Sequence, residues 1–212
     1  MLGRKIPDFF GEMIFDSESE YEKPFCIIID GLSSSGKTYL AKELAKGLNL
    51  YLLNSDYVRY SFYNIYKDYY PNVMRVISHT VNEIDMERIS ILCSNSIPFI
   101  YDGNKRDGDV YDSLSKLLAI GGYDQVRIRV NTSKEKCFDN LKTRTVGLVG
   151  FDELVMGDCI FYNPPFSLNI EELGMSNPDC VIDNIGTLED FDNNIKELIT
   201  KISKARGRKN ER

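Results

Sequence analysis

Residues 31–38 read Gly-Leu-Ser-Ser-Ser-Gly-Lys-Thr, and the residue types at that spacing suit one kind of chemistry. Small side chains let successive backbone N–H groups curl around phosphate oxygens. A helix starting just after them adds its positive end. A lysine there supplies a mobile charge to β and γ phosphates, and the following hydroxyl is a ligand for Mg²⁺. Gly31, Leu32, Ser33, Ser34, Ser35, Gly36, Lys37 and Thr38 are therefore the candidate cradle for a nucleoside triphosphate, with Thr38 toward the metal. The plainer alternative is a serine-rich turn with a lysine on a helix face.

Two further clusters are candidates to act on whatever the cradle holds. "NSDYVR" places Asp56 and Arg59 three residues apart, so both can share a helix face. A carboxylate there can accept the proton of an attacking hydroxyl, and an arginine can hold substrate or transferring charge. The same pair also fits an N-cap followed by a first-turn arginine. "YDGNKRDGD" puts Asp102 at the end of an apolar run, where a carboxylate can hold the hydration shell of Mg²⁺, with Asn104 and Arg106 on the loop beyond. A polar turn is the other reading of that segment. Arg144 ends a helical run with Lys142 beside it; it either reaches a transferred phosphate from a closing lid or complements the helix dipole. His79 falls in mid-helix and reads as structural. The tyrosines of 51–70 read mainly as packing, with base stacking as the alternative.

The elements that must position these residues alternate. Short apolar runs at 25–30, 50–54, 97–102, 125–130 and 179–183 predict strands. Helical spacing predicts helices over 37–48, 109–120, 133–144 with Ser133 as N-cap, and 187–202 with its acids early and lysines late. Residues 57–95 predict two helices split near Pro71, the second with Val73, Ile77, Val81, Ile84 and Ile91 on one face. Strand–helix alternation implies a mostly parallel sheet covered on both faces, whose strand carboxyl ends line one crevice. Residues 1–24 predict a polar, irregular arm, 25–202 one domain with an insert at about 145–178, and 203–212 a basic, solvated tail.

Composition narrows the partners. A hydrophobic share of 42% with 27% charged residues is that of a soluble globular chain, and every apolar run is far shorter than the roughly 20 residues of a membrane span. The first residues lack the continuous apolar region of a secretion signal. Five scattered cysteines (26, 93, 137, 159 and 180), without C-x-x-C, argue against a disulfide framework and for a reducing, cytoplasmic setting. A net charge of −6 counts against a long nucleic acid and favours a small substrate or a short oligonucleotide end. Oligomeric state is left open.

Taken in order, "GLSSSGKT", "SDYVR", "YDGNKR" and "LKTR" with a following lid resemble the small P-loop kinases of the nucleoside-monophosphate-kinase-like class. The resemblance runs from about residue 25 to 202 and is greatest to the branch of polynucleotide 5′-kinases and zeta-toxin-like ATP-binding proteins. It implies an α/β P-loop NTPase fold, a five-stranded parallel sheet in the order 2-3-1-4-5 between helices, with a lid. It implies ATP and Mg²⁺ as cofactors and catalytic roles for Lys37, Asp56, Arg59 and Arg144. Asp56 would be the general base, Arg59 and Arg106 would hold the acceptor, and Arg144 would sit on the transferred phosphate. Thr38 and Asp102 would hold the metal, and "VIDNIGT" (181–187) would lie beside the adenine. The chain departs from the class in its lid, which is apolar and carries no arginine between Arg144 and Arg206. The expected activity is transfer of the γ-phosphate to a hydroxyl of a small molecule, nucleoside or nucleotide. The alternatives are a 5′-hydroxyl kinase of RNA or DNA ends and a non-catalytic, ATP-gated protein-binding module.

Overall fold

The computed structural model describes residues 4–8, 11–15, 20–32, 34–56, 58, 73–103, 108–143 and 177–207. Two strands, β1 (Arg4–Asp8) and β2 (Gly11–Phe15), pair antiparallel from Arg4↔Phe15 to Asp8↔Gly11. Then follow β3 (Phe25–Gly31), α1 (Lys37–Leu48), β4 (Tyr51–Asn54), α2 (Val73–Ser94), β5 (Phe99–Asp102) and α3 (Gly108–Ile120). The chain continues through β6 (Asp124–Asn131), α4 (Lys134–Thr143), β7 (Cys180–Asp183) and α5 (Leu188–Arg206).

The second sheet has five strands in the order β4-β5-β3-β6-β7, every pair parallel. Counted from β3, that is the expected order 2-3-1-4-5. β3 is central, and its sequence shows why: apolar side chains occupy both faces. Phe25, Ile27 and Ile29 pack into one core with Leu40, Leu44 and Leu48 of α1 and Phe191, Ile195 and Ile202 of α5. Cys26 and Ile28 pack on the other side with Ile89 and Leu92 of α2 and Leu114 and Leu118 of α3. A strand buried on both faces reads as a continuous hydrophobic run, which "FCIII" is.

Three local details differ from the sequence expectation. The arm read as irregular contains the β1–β2 hairpin; neither short run alternates clearly, so cross-strand pairing rather than local pattern carries it. In α2 the buried face comprises Val81, Asp85, Ile89 and Leu92, while Ile84 and Ile91 are half-buried. The expected stripe is therefore turned, to admit a carboxylate. Finally, α5 runs on through Arg206, four residues into the expected basic tail. Arg206 lies over the Phe25 ring at 5.3 Å, and its Nη1 donates to Asp124 at 2.6 Å, so the last turn is docked rather than solvated. The insert from 145 to 176 lies outside the described residues. No described helix is long and apolar enough to cross a membrane.

Just before β3, Tyr21 is buried, its ring edge-on to Phe25 at 4.9 Å and its hydroxyl donating to the Leu48 carbonyl at 2.7 Å. Tyr21→Phe should lower the free energy of urea unfolding by about 1 kcal/mol, the worth of one lost hydrogen bond. An unchanged midpoint would show that the ring alone anchors this segment.

Candidate functional site

The turn from β3 into α1 is built on backbone geometry that side chains would block. Gly31 has φ +147, and a Cβ there would stand 2.8 Å from the Val130 carbonyl. Gly36 has φ +99, and a Cβ would meet Asn184 Nδ2 at 2.8 Å. Ser34 also takes a left-handed φ of 60, a conformation that costs energy in a non-glycine residue. Gly36 is the N-cap of α1, and no side chain caps that end. The first intrahelical bond runs from Leu40 N to Gly36 O, so the amides of the first turn are left to another acceptor. The hydroxyls of Ser34 and Ser35 are buried without a hydrogen-bond partner among the described residues. Amides and hydroxyls gathered at a helix N-terminus fit a polyphosphate.

Lys37 lies across this turn, with Nζ donating to the carbonyls of Gly31 at 2.9 Å and Leu32 at 2.6 Å. Its charge is felt by two carboxylates, Asp30 and Asp102. Burial pushes the Asp30 carboxyl up, against the opposing pull of the Gly31 N–H, Arg129 and Lys37. Arg129 reaches Asp30 at 3.4 Å.

Asp102 stands at the end of β5, only 6% exposed. The Thr38 side chain lies beside this carboxylate, and Asn54 Nδ2 donates to it at 2.5 Å. The Thr38 hydroxyl and the Asp102 carboxylate are thus neighbouring oxygen donors of a type suited to Mg²⁺. Among the described residues no group of three His, Cys, Asp or Glu side chains forms a denser metal cage.

Asp56 lies one strand over, in the helical residues that follow β4, exposed where Asp102 is buried. Asn54 links the two: its Oδ1 accepts from Asp56 N at 2.9 Å while its amide holds Asp102. Behind them, Asp85 of α2 is fully buried and accepts from Ser55 Oγ at 2.5 Å and Tyr101 OH at 3.2 Å. Ser55 precedes Asp56 and Tyr101 precedes Asp102, so one buried carboxylate ties together the strand ends that carry both site acids.

The structure therefore brings Gly31, Leu32, Ser34, Ser35, Gly36, Lys37, Thr38, Asp56 and Asp102 to one edge of the sheet. Segment 181–187 adjoins the turn through Asn184, whose Nδ2 donates to Ser35 O at 2.8 Å. Ser33, Arg59, Arg106 and Arg144 lie outside the described residues. Sequence reading missed Asn54 and Asp85. Asn54 carries no local signal; Asp85 shows one, as the carboxylate aligned with Val81 and Ile89 on a helix.

No protein-family model matches the chain, and no curated protein is significantly similar in sequence. Solved structures are similar in fold. A Chloroflexus aurantiacus protein held to be a kinase is 18% identical, with a TM-score of 0.63 over 86% of this chain and 98% of its own. The Mycobacterium tuberculosis APS kinase CysC, solved with AMPPNP and APS, is 14% identical, with a TM-score of 0.55 over 85% and 98%. A structure of the Streptococcus pneumoniae PezAT toxin–antitoxin system is 18% identical, with a TM-score of 0.52 over 69% of this chain and 60% of that one. At these identities the likeness is one of fold: an α/β P-loop NTPase domain shared with kinases.

Burial is the largest influence on Asp102 and raises its carboxyl above the ordinary range; Thr38, Lys37 and Asn54 pull it down, and the charge of Asp56 adds to the rise. The folded chain thus binds this proton more readily than the unfolded chain. The group's contribution to stability falls as pH rises from the unfolded value through the folded one. Asp102→Asn should be at least as stable as the parent at neutral pH in urea unfolding, with the difference shrinking on acidification. A variant weaker by more than about 1 kcal/mol at neutral pH would mean that the carboxylate's hydrogen bonds outweigh its burial.

Proposed function

We propose that the chain is an ATP-dependent phosphotransferase that moves the γ-phosphate to a hydroxyl of a small molecule, nucleoside or nucleotide. One observation carries the reading. An uncapped, glycine-hinged helix start bearing Lys37 faces a buried carboxylate, Asp102, in contact with Thr38, and an exposed carboxylate, Asp56, stands one strand further on. The buried acid suits a metal; the exposed one suits an acceptor that arrives from solvent. A chain of like fold that holds both a nucleotide analogue and a small acceptor, the APS kinase, supports the assignment.

In this reading the amides of the 31–38 turn hold the triphosphate, and Lys37 leaves its carbonyl partners for the β and γ oxygens. Thr38 and Asp102 would hold Mg²⁺. The ion, when bound, offsets charge on the β and γ oxygens. Asp56 takes the acceptor hydroxyl's proton as its oxygen bonds to the γ phosphorus and the bond to the β–γ bridging oxygen breaks. Asn54 holds Asp56 and Asp102 at a fixed spacing during this exchange. Arg59 and Arg106 on the acceptor, Arg144 on the transferred group and segment 181–187 beside the adenine complete the assignment on sequence grounds.

Within the class, the sequence motifs support the polynucleotide 5′-kinase and zeta-toxin-like branch. The net charge of −6 favours its small-acceptor members over a binder of long nucleic acid.

Asp56→Asn should reduce ATP turnover against a panel of hydroxyl-bearing metabolites by at least about 10²-fold. Its calorimetric affinity for ATP with Mg²⁺ should match the parent's. Turnover at the parent's rate would remove Asp56 from the role of base. Absence of ATP uptake by the parent itself would end the reading altogether.

A further inference from the structure

The Ser35 carbonyl accepts two hydrogen bonds from side chains that belong to no phosphate-binding motif. Thr132 Oγ1, just past β6, donates at 3.0 Å, and Asn184 Nδ2, just past β7, donates at 2.8 Å. Both residues are buried, 4% and 6% exposed, as is Ser35 itself. Asn184 is in turn held on two sides. Its N–H donates to Asn131 O at 2.8 Å, and its Oδ1 accepts from Lys136 Nζ at 2.9 Å. Lys136 also donates to Gly186 O at 2.6 Å, and its own N–H donates to the N-cap Ser133 at 3.1 Å. An ammonium on Oδ1 polarises the amide and strengthens the bond that Nδ2 gives to Ser35.

The geometry of the peptide unit turns this brace into a statement about the opposite side of the loop. A planar trans peptide directs its C=O and N–H in opposite senses. With the Ser35 oxygen drawn into the corner between Thr132 and Asn184, the Gly36 N–H must point out of that corner, as an anion seated in the turn requires. The Gly36 φ of +99 is a conformation that glycine adopts freely and other residues do not, and Asn184 Nδ2 is an atom that a Cβ at Gly36 would strike. We propose that Thr132, Asn184 and Lys136 are positioning residues for polyphosphate binding, acting on the Gly36 amide through the Ser35 carbonyl. This rests on the reading of 31–38 as a polyphosphate cradle.

The test is calorimetry with ATP and Mg²⁺ on the full chain, alongside thermal melting. Thr132→Val keeps the shape and loses the donor; it should weaken ATP binding about tenfold, the worth of one hydrogen bond. Thr132→Ser keeps the donor and should recover most of that affinity. A packing role predicts the reverse order, since valine fills the buried volume better than serine, and that order would overturn the proposal. Asn184→Asp keeps the acceptor for Lys136 but sets an oxygen against Ser35 O, and should weaken binding at least as much as Thr132→Val. Lys136→Met should weaken it by about threefold, a share of one charge-assisted bond. Affinity unchanged in Thr132→Val and Asn184→Asp overturns the proposal alone; no ATP uptake by the parent overturns the functional reading with it.

Discussion

The site depends on a turn with no room for side chains at two places. At Gly31 the backbone passes within contact distance of the neighbouring strand, and at Gly36 it passes against Asn184 and Phe191. Because β3 is the middle strand, this turn opens at the centre of the sheet edge, with β5 on one side and β6 on the other. Asp102 arrives from one neighbour and Thr132 from the other. Moving the turn to an outer strand would leave it with one neighbour and half of its partners.

Around that turn, apart from the Ser34 and Ser35 hydroxyls, buried polar groups meet partners. Asn54 with Asp102, Ser55 and Tyr101 with Asp85, and Thr132 and Asn184 with the Ser35 carbonyl each satisfy a group whose desolvation would otherwise cost about 1–3 kcal/mol. Bonds of this kind fix the spacing between strand ends more narrowly than apolar contacts do, because a hydrogen bond fails over a few tenths of an ångström. The apolar cores on the two faces hold the layers together; the polar pairs set where the charges stand.

Much of this was legible before any coordinates. The glycine and lysine spacing of 31–38, the five strands, the Ser133 cap and the acidic start of α5 follow from local pattern, because each depends on residues close in the chain, whereas the order of the strands was implied only by the resemblance to the small P-loop kinases. The β1–β2 hairpin was not, since two weakly alternating runs gain their structure only from each other. Asn54, Thr132 and Asn184 were not legible either. An asparagine or threonine at a strand end is ordinary, and it becomes a partner of the 31–38 turn or of Asp102 only once the sheet order sets distant strand ends side by side. Asp85 lies between these cases: a carboxylate on an apolar helical stripe demands donors, but not which ones.

The central place of β3 also bears on how the chain reaches this form. Its two sheet neighbours, β5 and β6, and the helix that completes one face, α5, all follow it by many residues, and Arg206 closes over Phe25 only at the end of that helix. During synthesis this strand thus leaves the ribosome with only α1 at hand to cover part of one face, long before its sheet neighbours and the helices of the other face can cover the rest. Chains rich in such distant pairings assemble slowly and expose sticky surface meanwhile. Protection of the nascent "FCIIID" segment, by the ribosome or by a chaperone, is the demand this strand order places on the cell that makes it.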